Sequence, residues 1–460
     1  MSAAGVELHD VQGNVLRGYT LPHAAYVFVD VHDAAGGRAW LAGLRAEITP
    51  GMPWPPGGGP DRTLNVACTF AGLRALGAPP RLLGTFPPEF RAGMAARAAA
   101  LGDAGEDAPA RWDPELSGPS PHLLLVAYDV DRPSLKRRCR AWRAELERPG
   151  SGLGVRHLVL GGLLHRGSGG MHREHFGFAD GFSQPDVRDG HAGPREGEGT
   201  ALRLGRWRAV APGEFVLGYR DEDGEEPVAP AAPLGRNGSF VVVRKLEQHV
   251  GRFRAFVRDA AGGDPQRERW LAARVVGRWA DGTPLALRPD APDPALVADR
   301  ARLNRFGYAD DPGGLRCPVG AHVRRANPRD GLGWQGRLTK RHRIIRRGMS
   351  YGPALPHGAA DDGVPRGLMF VCYQASIARQ FEFIQRRWIG DGNALGAGAA
   401  RDFLLGGPDP GGRFVIPGGP DGSPLVLAPQ PRFVTLRGGD YFFAPSLTAI
   451  DAIVGGFGAR

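Results

Sequence analysis

The stretch YVFVDVHDAAGGRAWLAGL, residues 26–44, places β-branched and aromatic residues directly before a segment with helical spacing. Its first half has the composition of a β-strand, and its second half repeats apolar residues at the intervals of an amphipathic helix. The stretch SFVVVRKLEQHVGRFRAFV, residues 239–257, has the same order. Two copies of one strand–helix unit indicate that the chain contains two related halves.

A second pair of strand–helix units supports this duplication. HLLLVAYDVDRPSLKRRCRAWRAEL, residues 122–146, has the pattern of GLMFVCYQASIARQFEFIQRRWI, residues 367–389. In the first, Asp131 or Ser134 is suited to cap the helix, and Pro133 is suited to its first turn. Repeated strand–helix units separated by polar loops predict an α+β protein, with helices packed on one side of each sheet.

The division between the halves is predicted in the stretch RDEDGEEPVAPAAPLGRN, residues 220–237, which is rich in proline, glycine and charge. Such composition is typical of a linker. The prediction is therefore an N-terminal domain of residues 1–225 and a C-terminal domain of residues 226–460.

Composition narrows the class of protein. The chain has 460 residues, of which 42% are hydrophobic and 23% charged, as in a soluble globular protein. No apolar run reaches the roughly 18 residues that a membrane span needs. The N-terminal residues show no secretory signal, which predicts a cytoplasmic location. The net charge is +10, but the basic residues are dispersed, so no nucleic-acid or membrane partner is predicted.

The 4 cysteines are far apart and form no CxxC pair, so neither a zinc site nor a disulfide framework is indicated. Cys317 precedes a proline, a context in which a thiolate can bind haem iron. The FxxGxxxCxG loop of the P450 monooxygenases is absent, however, and a structural role is favoured for Cys317.

His322 is the histidine whose surroundings suggest a ligand. In LRCPVGAHVRRANPRDG, residues 315–331, small apolar residues precede it and arginines follow it. A neutral imidazole beside a wall of small residues suits an axial ligand of a flat cofactor. The neighbouring guanidinium groups suit the carboxylates of that cofactor.

Asp180 lies among glycines and phenylalanines in EHFGFADGFSQPDV, residues 174–187. It either caps a turn locally or acts as an acid in a dry pocket. In TKRHRIIRRGMSYGP, residues 339–353, RHR has the composition of a solvated basic face, and strand alternation directs only one of Arg346 and Arg347 inward. An inward arginine needs a negative partner, which Asp180 or the charge that develops on a bound ligand would supply. The alternative is that the two arginines form an ordinary surface pair.

Six motifs occur together in a fixed order. They are VQGNVLRGY (11–19), GFADG (177–181), GEFVLGY (213–219), CPVGAHVRRANPRD (317–330), IIRRGMSYG (344–352) and FVCYQASIARQFEFIQ (370–385). In this set the chain resembles the dye-decolorizing peroxidases, a family of haem peroxidases, and it is most similar to their longer branch.

The resemblance implies a fold and an activity. The fold would be a pair of ferredoxin-like α+β domains with antiparallel sheets, of the dimeric α+β barrel type, with one haem b held in the C-terminal domain. The activity would be reduction of H2O2 and one-electron oxidation of dyes, phenols or other organic reductants. The protein would be a monomer or a homo-oligomer.

The resemblance also implies roles on the proximal side of the haem. His322 matches the ligand of the iron. Glu382 is the candidate for the acid that hydrogen-bonds the proximal imidazole, a contact that fixes the tautomer and raises the basicity of the ligand. Arg324 and Arg329 are candidates for contacts with the haem propionates.

On the distal side, Asp180 matches the acid and Arg346 the arginine, with Arg347 as the alternative if the alignment shifts by one residue. Leu368 and Phe370 resemble the apolar pair over the distal face. When H2O2 is split, one oxygen loses a proton and the other gains one, and an aspartate stays ionised at acidity that protonates an imidazole. The arginine stabilises negative charge on the departing oxygen.

Bulky dyes would not fit such a pocket, so electron transfer through Tyr351, Tyr373 or Trp388 is a further hypothesis. Two alternatives stay open on sequence alone. One is a haem carrier, a sensor or a chlorite dismutase-like enzyme of the same fold, although a passive carrier has no need of an Asp–Arg pair. The other is an α+β binding module without haem.

Overall fold

The computed structural model describes residues 5–55, 57–166, 172–190, 197–201, 207–398, 400–409, 412–419, 422–428 and 431–458. One large antiparallel sheet organises the described chain. Its strands are β1 (His23–Val31), β2 (Arg62–Cys68), β3 (Leu123–Asp129), β4 (Leu153–Gly162), β5 (Ser239–Gln248), β6 (Ile345–Arg346), β7 (Met349–Tyr351), β8 (Gly367–Gln374) and β9 (Val434–Ala444).

The large sheet closes on itself. Its order runs β8, β7, β4, β1, β3, β2, β9 and β5, and β5 pairs back onto β8, while the short β6 also pairs with β8. Within β1 to β4 the spatial order is fourth, first, third, second, and the strands β9, β5, β8 and β7 repeat that order in the second half. Single residue pairs join the halves: Gly161 with Tyr351, and Cys68 with Phe443.

Helices surround this sheet. The longer or functionally placed ones are α1 (Ala34–Leu44), α2 (Arg132–Leu146), α3 (Val250–Ala260), α4 (Pro265–Val276), α5 (His322–Ala326) and α6 (Leu447–Val454). Short helices are Gly13–Leu16, Phe70–Ala75, Pro80–Leu83, Pro88–Ala92, Ala98–Leu101, Pro294–Ala298 and Arg337–Lys340, and two π-helical segments span Ile377–Glu382 and Ile384–Ile389. Two-residue and three-residue strands form separate ribbons: His165–Arg166 with His172–Arg173, Thr200–Ala201 with Trp207–Arg208, and Phe414–Ile416 with Leu425–Leu427.

Apolar residues cover both faces of the sheet. Alternate side chains such as Tyr26, Phe28 and Phe442 fill its interior. The residues between them, such as Val27 and Phe443, face outward, where α1, α2 and α6 pack on them. Burial on both faces explains why these strands appear in the sequence as continuous apolar runs.

The strand–helix units predicted from the sequence are present. Strand β3 leads into α2, and the Asp131 carboxylate accepts a hydrogen bond from Ser134 N at 2.8 Å, with Pro133 in the first turn. The prediction of an α+β protein with antiparallel strands is confirmed. Residues 220–237 form neither helix nor strand. Within the described ranges, no helix combines the length and the hydropathy that a membrane crossing requires.

The packing of Phe240 on the outer face of the sheet predicts how its replacement changes the free energy of unfolding. Phe240 is fully buried and its ring lies against those of Phe86, Phe90 and Phe443. Replacing it in Phe240→Ala should lower the free energy of unfolding by about 3–5 kcal/mol, because it leaves a cavity in the packed layer. Urea unfolding measures this. The exposed control Val426→Ala should change it by less than about 0.5 kcal/mol, and equal effects of the two variants would contradict the packing described.

Candidate functional site

A cavity of about 380 Å³ opens on the outer face of the sheet, over strands of its second half. Loops and short helices from both halves of the chain complete its walls. Six of the residues singled out from the sequence line it: Asp180, His322, Arg329, Arg346, Leu368 and Phe370.

Asp180 lies in a loop shaped by two glycines. Gly177 has φ +100° and Gly181 has φ +88°, values that side chains other than glycine rarely adopt. The Cβ positions of both glycines meet no other protein atom, so it is the positive φ of the turn that requires glycine here. The loop is fixed at its tip, where Ala179 N donates to Ala280 O at 3.0 Å.

Glu174 anchors the start of the same loop, a role that the sequence reasoning missed. Its carboxylate accepts hydrogen bonds from Phe176 N and Phe178 N, both at 2.9 Å, and from Gln248 Nε2 at 2.7 Å. Burial raises the pKa of Glu174, although these hydrogen bonds oppose the rise. Because Gln248 lies at the end of β5, the contact fastens the Asp180 loop to the sheet.

Arg346 is the arginine that reaches the cavity. Its Nη2 donates to Phe182 O at 2.6 Å and its Nη1 lies 3.9 Å from Asp180 Oδ1. Arg347 points the other way, where its Nε donates to Asn14 O at 2.9 Å. Strand alternation therefore places one arginine on each face, and Arg346 rather than Arg347 lies beside Asp180.

The setting of Asp180 is more open than the sequence suggested. Its side chain is 45% exposed and that of Arg346 is 39% exposed. Both side chains point into the cavity, whereas Phe178 and Phe182 beside Asp180 are buried. At 3.9 Å the two charges attract each other without a direct hydrogen bond, while Arg346 Nη2 donates to Phe182 O and Asp180 Oδ1 accepts from Gly181 N.

His322 begins α5, lines the same cavity and contacts an acid that the sequence reasoning did not find. Its Nδ1 lies 3.0 Å from Oδ2 of Asp402, whose side chain is fully buried. Burial raises the pKa of Asp402, but the charge and hydrogen bond of His322 and the charge of Arg325 outweigh it, so the pKa lies below its ordinary value. The other carboxylate oxygen accepts from the backbone of Leu404 and Leu405.

The prediction that Glu382 hydrogen-bonds the proximal imidazole is wrong. Both its oxygens accept from Arg97, at 2.9 and 2.6 Å, and one also accepts from the Tyr441 hydroxyl at 2.9 Å. Glu382 turns away from His322 because it faces the sheet. The sequence contains one weak local sign of the position of Asp402. In RDFLLGG, residues 401–407, the aspartate precedes residues whose backbone N–H groups its side chain can cap.

The two arginines near His322 behave differently. Arg324 is buried against Asp311, with 3.2 Å between Nη1 and Oδ2, and it also donates to Cys317 O. It is absent from the cavity wall, so its predicted contact with a cofactor carboxylate is wrong. Arg329 does line the cavity, and its guanidinium donates to backbone carbonyls and to Ser183 Oγ.

The RHR stretch, residues 341–343, contributes to the cavity, although its composition suggested a solvated face. His342 and Arg343 both line the wall. The His342 ring stacks on Phe383 with 3.8 Å between centroids, and its Nδ1 hydrogen-bonds the carbonyl of Arg379. Burial lowers the pKa of Arg343 to about 10. Polar composition alone did not reveal that a cavity would desolvate these side chains.

Comparisons with known proteins identify the family of the chain. The family described as "Dyp-type peroxidase, C-terminal" matches residues 274–402, a range that begins before His322 and ends at Asp402. A dye-decolorizing peroxidase of Mycetinis scorodonius is 33% identical, over 98% of this chain and 88% of its own length.

The chain belongs to the dye-decolorizing peroxidase family. A structure of a fungal DyP-type peroxidase from Auricularia auricula-judae has a TM-score of 0.83 and 27% identity, covering 98% of this chain and 100% of its own. A dye-decolorizing peroxidase in complex with 2,6-dimethoxyphenol has a TM-score of 0.82 and 29% identity, covering 98% and 99%. This protein is therefore a peroxidase with the overall fold of its family.

The three aromatic residues considered for electron transfer in this peroxidase are all buried. Tyr351 is 7% exposed, Tyr373 is 3% and Trp388 is 2%. The Tyr373 ring lies in the interior of the closed sheet, and Trp388 packs edge-on against His342. None of the three therefore presents a ring at the surface where a bulky dye would dock.

Because His342 is desolvated, we expect the free energy of unfolding of this peroxidase to depend on pH. Burial lowers its pKa from 6.5 to about 4, so the unfolded chain binds more protons between those values. The free energy of unfolding should therefore fall as the pH drops from 6.5 to 4, by up to about 3 kcal/mol from this residue. Urea unfolding at pH 7 and at pH 4.5 measures the fall, which should be smaller in His342→Gln. The exposed control His357→Gln should keep the full pH dependence, and an unchanged dependence in His342→Gln would contradict the assignment.

Proposed function

We propose that the cavity holds one haem b per chain, with His322 as the axial ligand of the iron. The observation that carries the proposal is the contact between His322 Nδ1 and the buried Asp402 carboxylate. An acceptor at Nδ1 keeps the proton on that nitrogen and leaves Nε2 as the free base that binds a metal. The peroxidase family and the lining of the cavity by His322 support this assignment.

The charges on the cavity wall fit the carboxylates of such a cofactor. Arg343 Nη2 is buried and has no hydrogen-bond partner. The hydrogen bonds of Arg329 go to neutral oxygens, which leave its charge uncompensated by direct contact. A buried guanidinium without a counter-ion is costly, and a carboxylate that arrives with the cofactor removes that cost. Arg329 and Arg343 are therefore the proposed contacts for the haem propionates.

The fold and the placement of the haem follow the same proposal. The repeated strand order supports two ferredoxin-like units, with residues 1–225 carrying the Asp180 loop and residues 226–460 holding the haem. Strands β5, β8 and β9 supply the floor of the cavity through Leu246, Leu368, Phe370 and Leu436. Leu368 and Phe370 would form the apolar wall of the distal side.

In the proposed reaction, a bound haem would supply the iron centre that H2O2 oxidises. Asp180 would accept a proton from H2O2 and return it to the departing oxygen. Arg346 stabilises the negative charge that develops on that oxygen, and its hydrogen bond to Phe182 O holds the guanidinium in position before reaction. Asp402 keeps the His322 ring in one orientation throughout.

The proposed reductants are small phenols and dyes. The complex of a structural relative with 2,6-dimethoxyphenol supports small phenols as substrates of this chain. The alternatives of a haem carrier or a chlorite dismutase-like enzyme are not favoured by relatives that are peroxidases. A cytoplasmic location and the oligomeric state stay predictions from the sequence.

Haem binding tests the proposed ligand. The purified protein reconstituted with haem should show a Soret band, and His322→Ala should lose haem faster because the axial bond is gone. Asp402→Asn should weaken haem binding by roughly 10- to 100-fold, since the imidazole loses its charged acceptor. The exposed control His357→Ala should bind haem as the wild type does. A wild-type protein without a Soret band would contradict the proposal.

The distal pair is tested by rapid mixing with H2O2. Asp180→Asn keeps the size of the side chain and its oxygen acceptor for Gly181 N, but it cannot take up a proton. We expect the spectral change of the haem to slow by roughly 10²- to 10⁴-fold while haem stays bound. The surface variant Asp451→Asn, which removes an exposed partner of Arg45, serves as the control. A normal rate in Asp180→Asn with a slow rate in Arg346→Leu would transfer the main role to the arginine.

A further inference from the structure

Glu382, which does not contact His322, forms a buried pair with a tyrosine beside the cavity. Its Oε1 accepts the Tyr441 hydroxyl at 2.9 Å. The tyrosine is 1% exposed and the Glu382 side chain is 8% exposed. A buried phenol that donates to a carboxylate has a proton acceptor already in place, which is what one-electron oxidation of a tyrosine requires.

Tyr441 lies directly behind the wall of the cavity. It is on β9, opposite Val242 of β5, and faces the same side of the sheet as Arg244, which lines the cavity two residues further along β5. Phe381 shares the same apolar cluster as Tyr441 and also lines the cavity. Tyr441 therefore shares its apolar cluster with Phe381 and its face of the sheet with Arg244, and both of these residues line the cavity.

The acceptor is unusual among the tyrosines of the described chain. Tyr19 and Tyr219 donate to the amide oxygens of Asn65 and Asn237, and Tyr128 donates to a backbone carbonyl. None of those oxygens is basic enough to take up a proton. Tyr441 alone, among these hydroxyl donors in the described residues, ends on a carboxylate.

Arg97 limits the electrostatic cost of moving the Tyr441 proton to Glu382. It forms two hydrogen bonds with Glu382, and its side chain is 35% exposed. When Glu382 becomes neutral, the charge of Arg97 is left without its partner, but water reaches the guanidinium. The carboxylate can therefore change its charge without stranding a buried cation.

We propose that Tyr441, with Glu382 as its proton acceptor, is a redox-active tyrosine that takes an oxidising equivalent from the cavity. The inference rests on the proposed haem site, and the peroxidase reaction supplies the oxidant. The Tyr441 O–H bond breaks, its electron passes to the oxidant in the cavity, and its proton forms an O–H bond on Glu382. A neutral tyrosyl radical and a neutral carboxylic acid result. A one-electron reductant later donates an electron, and Glu382 returns the proton.

The alternative to a redox role is a purely structural one, in which the pair of Tyr441 and Glu382 only fills the layer between sheet and helix. Replacement by a neutral isostere separates the two roles. In Glu382→Gln the amide oxygen still accepts from Tyr441 and the side chain keeps its volume, but the proton has nowhere to go. Structural anchoring would survive this change, whereas radical formation would become slower.

The experiment is electron paramagnetic resonance of the haem-loaded protein, frozen at set times after one equivalent of H2O2 without reductant. Protein made with ring-deuterated tyrosine identifies a tyrosyl signal by its narrower hyperfine pattern. We expect that signal in the wild type and its loss in Tyr441→Phe. In Glu382→Gln the signal should appear roughly 100-fold more slowly, because the positioned base is missing.

Tyr308 provides the matched control. It lines the cavity itself and is 2% exposed, but the charged side chains that act on it are those of Arg278, Arg324 and Arg329 and not a carboxylate. Tyr308→Phe should keep the signal. A signal that survives Tyr441→Phe, that disappears in Tyr308→Phe, or that is unchanged in Glu382→Gln would overturn the assignment.

The same samples separate this inference from the proposed function. Their visible spectra record haem binding and the response to peroxide. A wild-type protein that neither binds haem nor responds would contradict the haem site, and the inference with it. A normal peroxide response without a tyrosyl signal would overturn the role of Tyr441 alone.

Discussion

Both faces of a closed sheet have to be covered, and the outer face of this sheet is covered differently in its two halves. Over β1 to β4, helices α1 and α2 pack against apolar residues and leave little space. Over β5, β8 and β9, part of the outer face is packed in the same apolar cluster, and the outward residues Leu246, Leu368, Phe370 and Leu436 line the cavity. Loops and short helices complete the other walls of the cavity.

The cavity brings together groups that differ in burial. Asp180 and Arg346 line it with side chains that are 45% and 39% exposed. His322 also lines it, and its Nδ1 is held by the fully buried carboxylate of Asp402. Exposed charges suit proton transfer and charge stabilisation, whereas a ligand needs a fixed orientation, so the difference in burial matches the difference in task.

Prediction from the sequence succeeded where a local rule acts. Alternation along a strand placed Arg346 and Arg347 on opposite faces, and the Asp131 cap follows from residue type and spacing. It failed for Glu382 and Arg324, whose partners lie outside the motifs that contain them. Arg97 pairs with Glu382, and Asp311 pairs with Arg324. The spacing of residues within the motifs predicts neither contact.

The sequence by itself determined that two strand–helix repeats build an α+β protein, and that an aspartate, a histidine and an arginine in family order belong to a peroxidase. Periodicity and ordered motifs are properties of the chain and need no contacts. Only the tertiary structure decided that Asp402 and not Glu382 holds His322, that His342 and Arg343 line the cavity, and that Glu382 accepts the Tyr441 hydroxyl. Those choices depend on closure of the sheet and on the path of the loops over it, because a carboxylate pairs with whichever donor folding brings within hydrogen-bond distance.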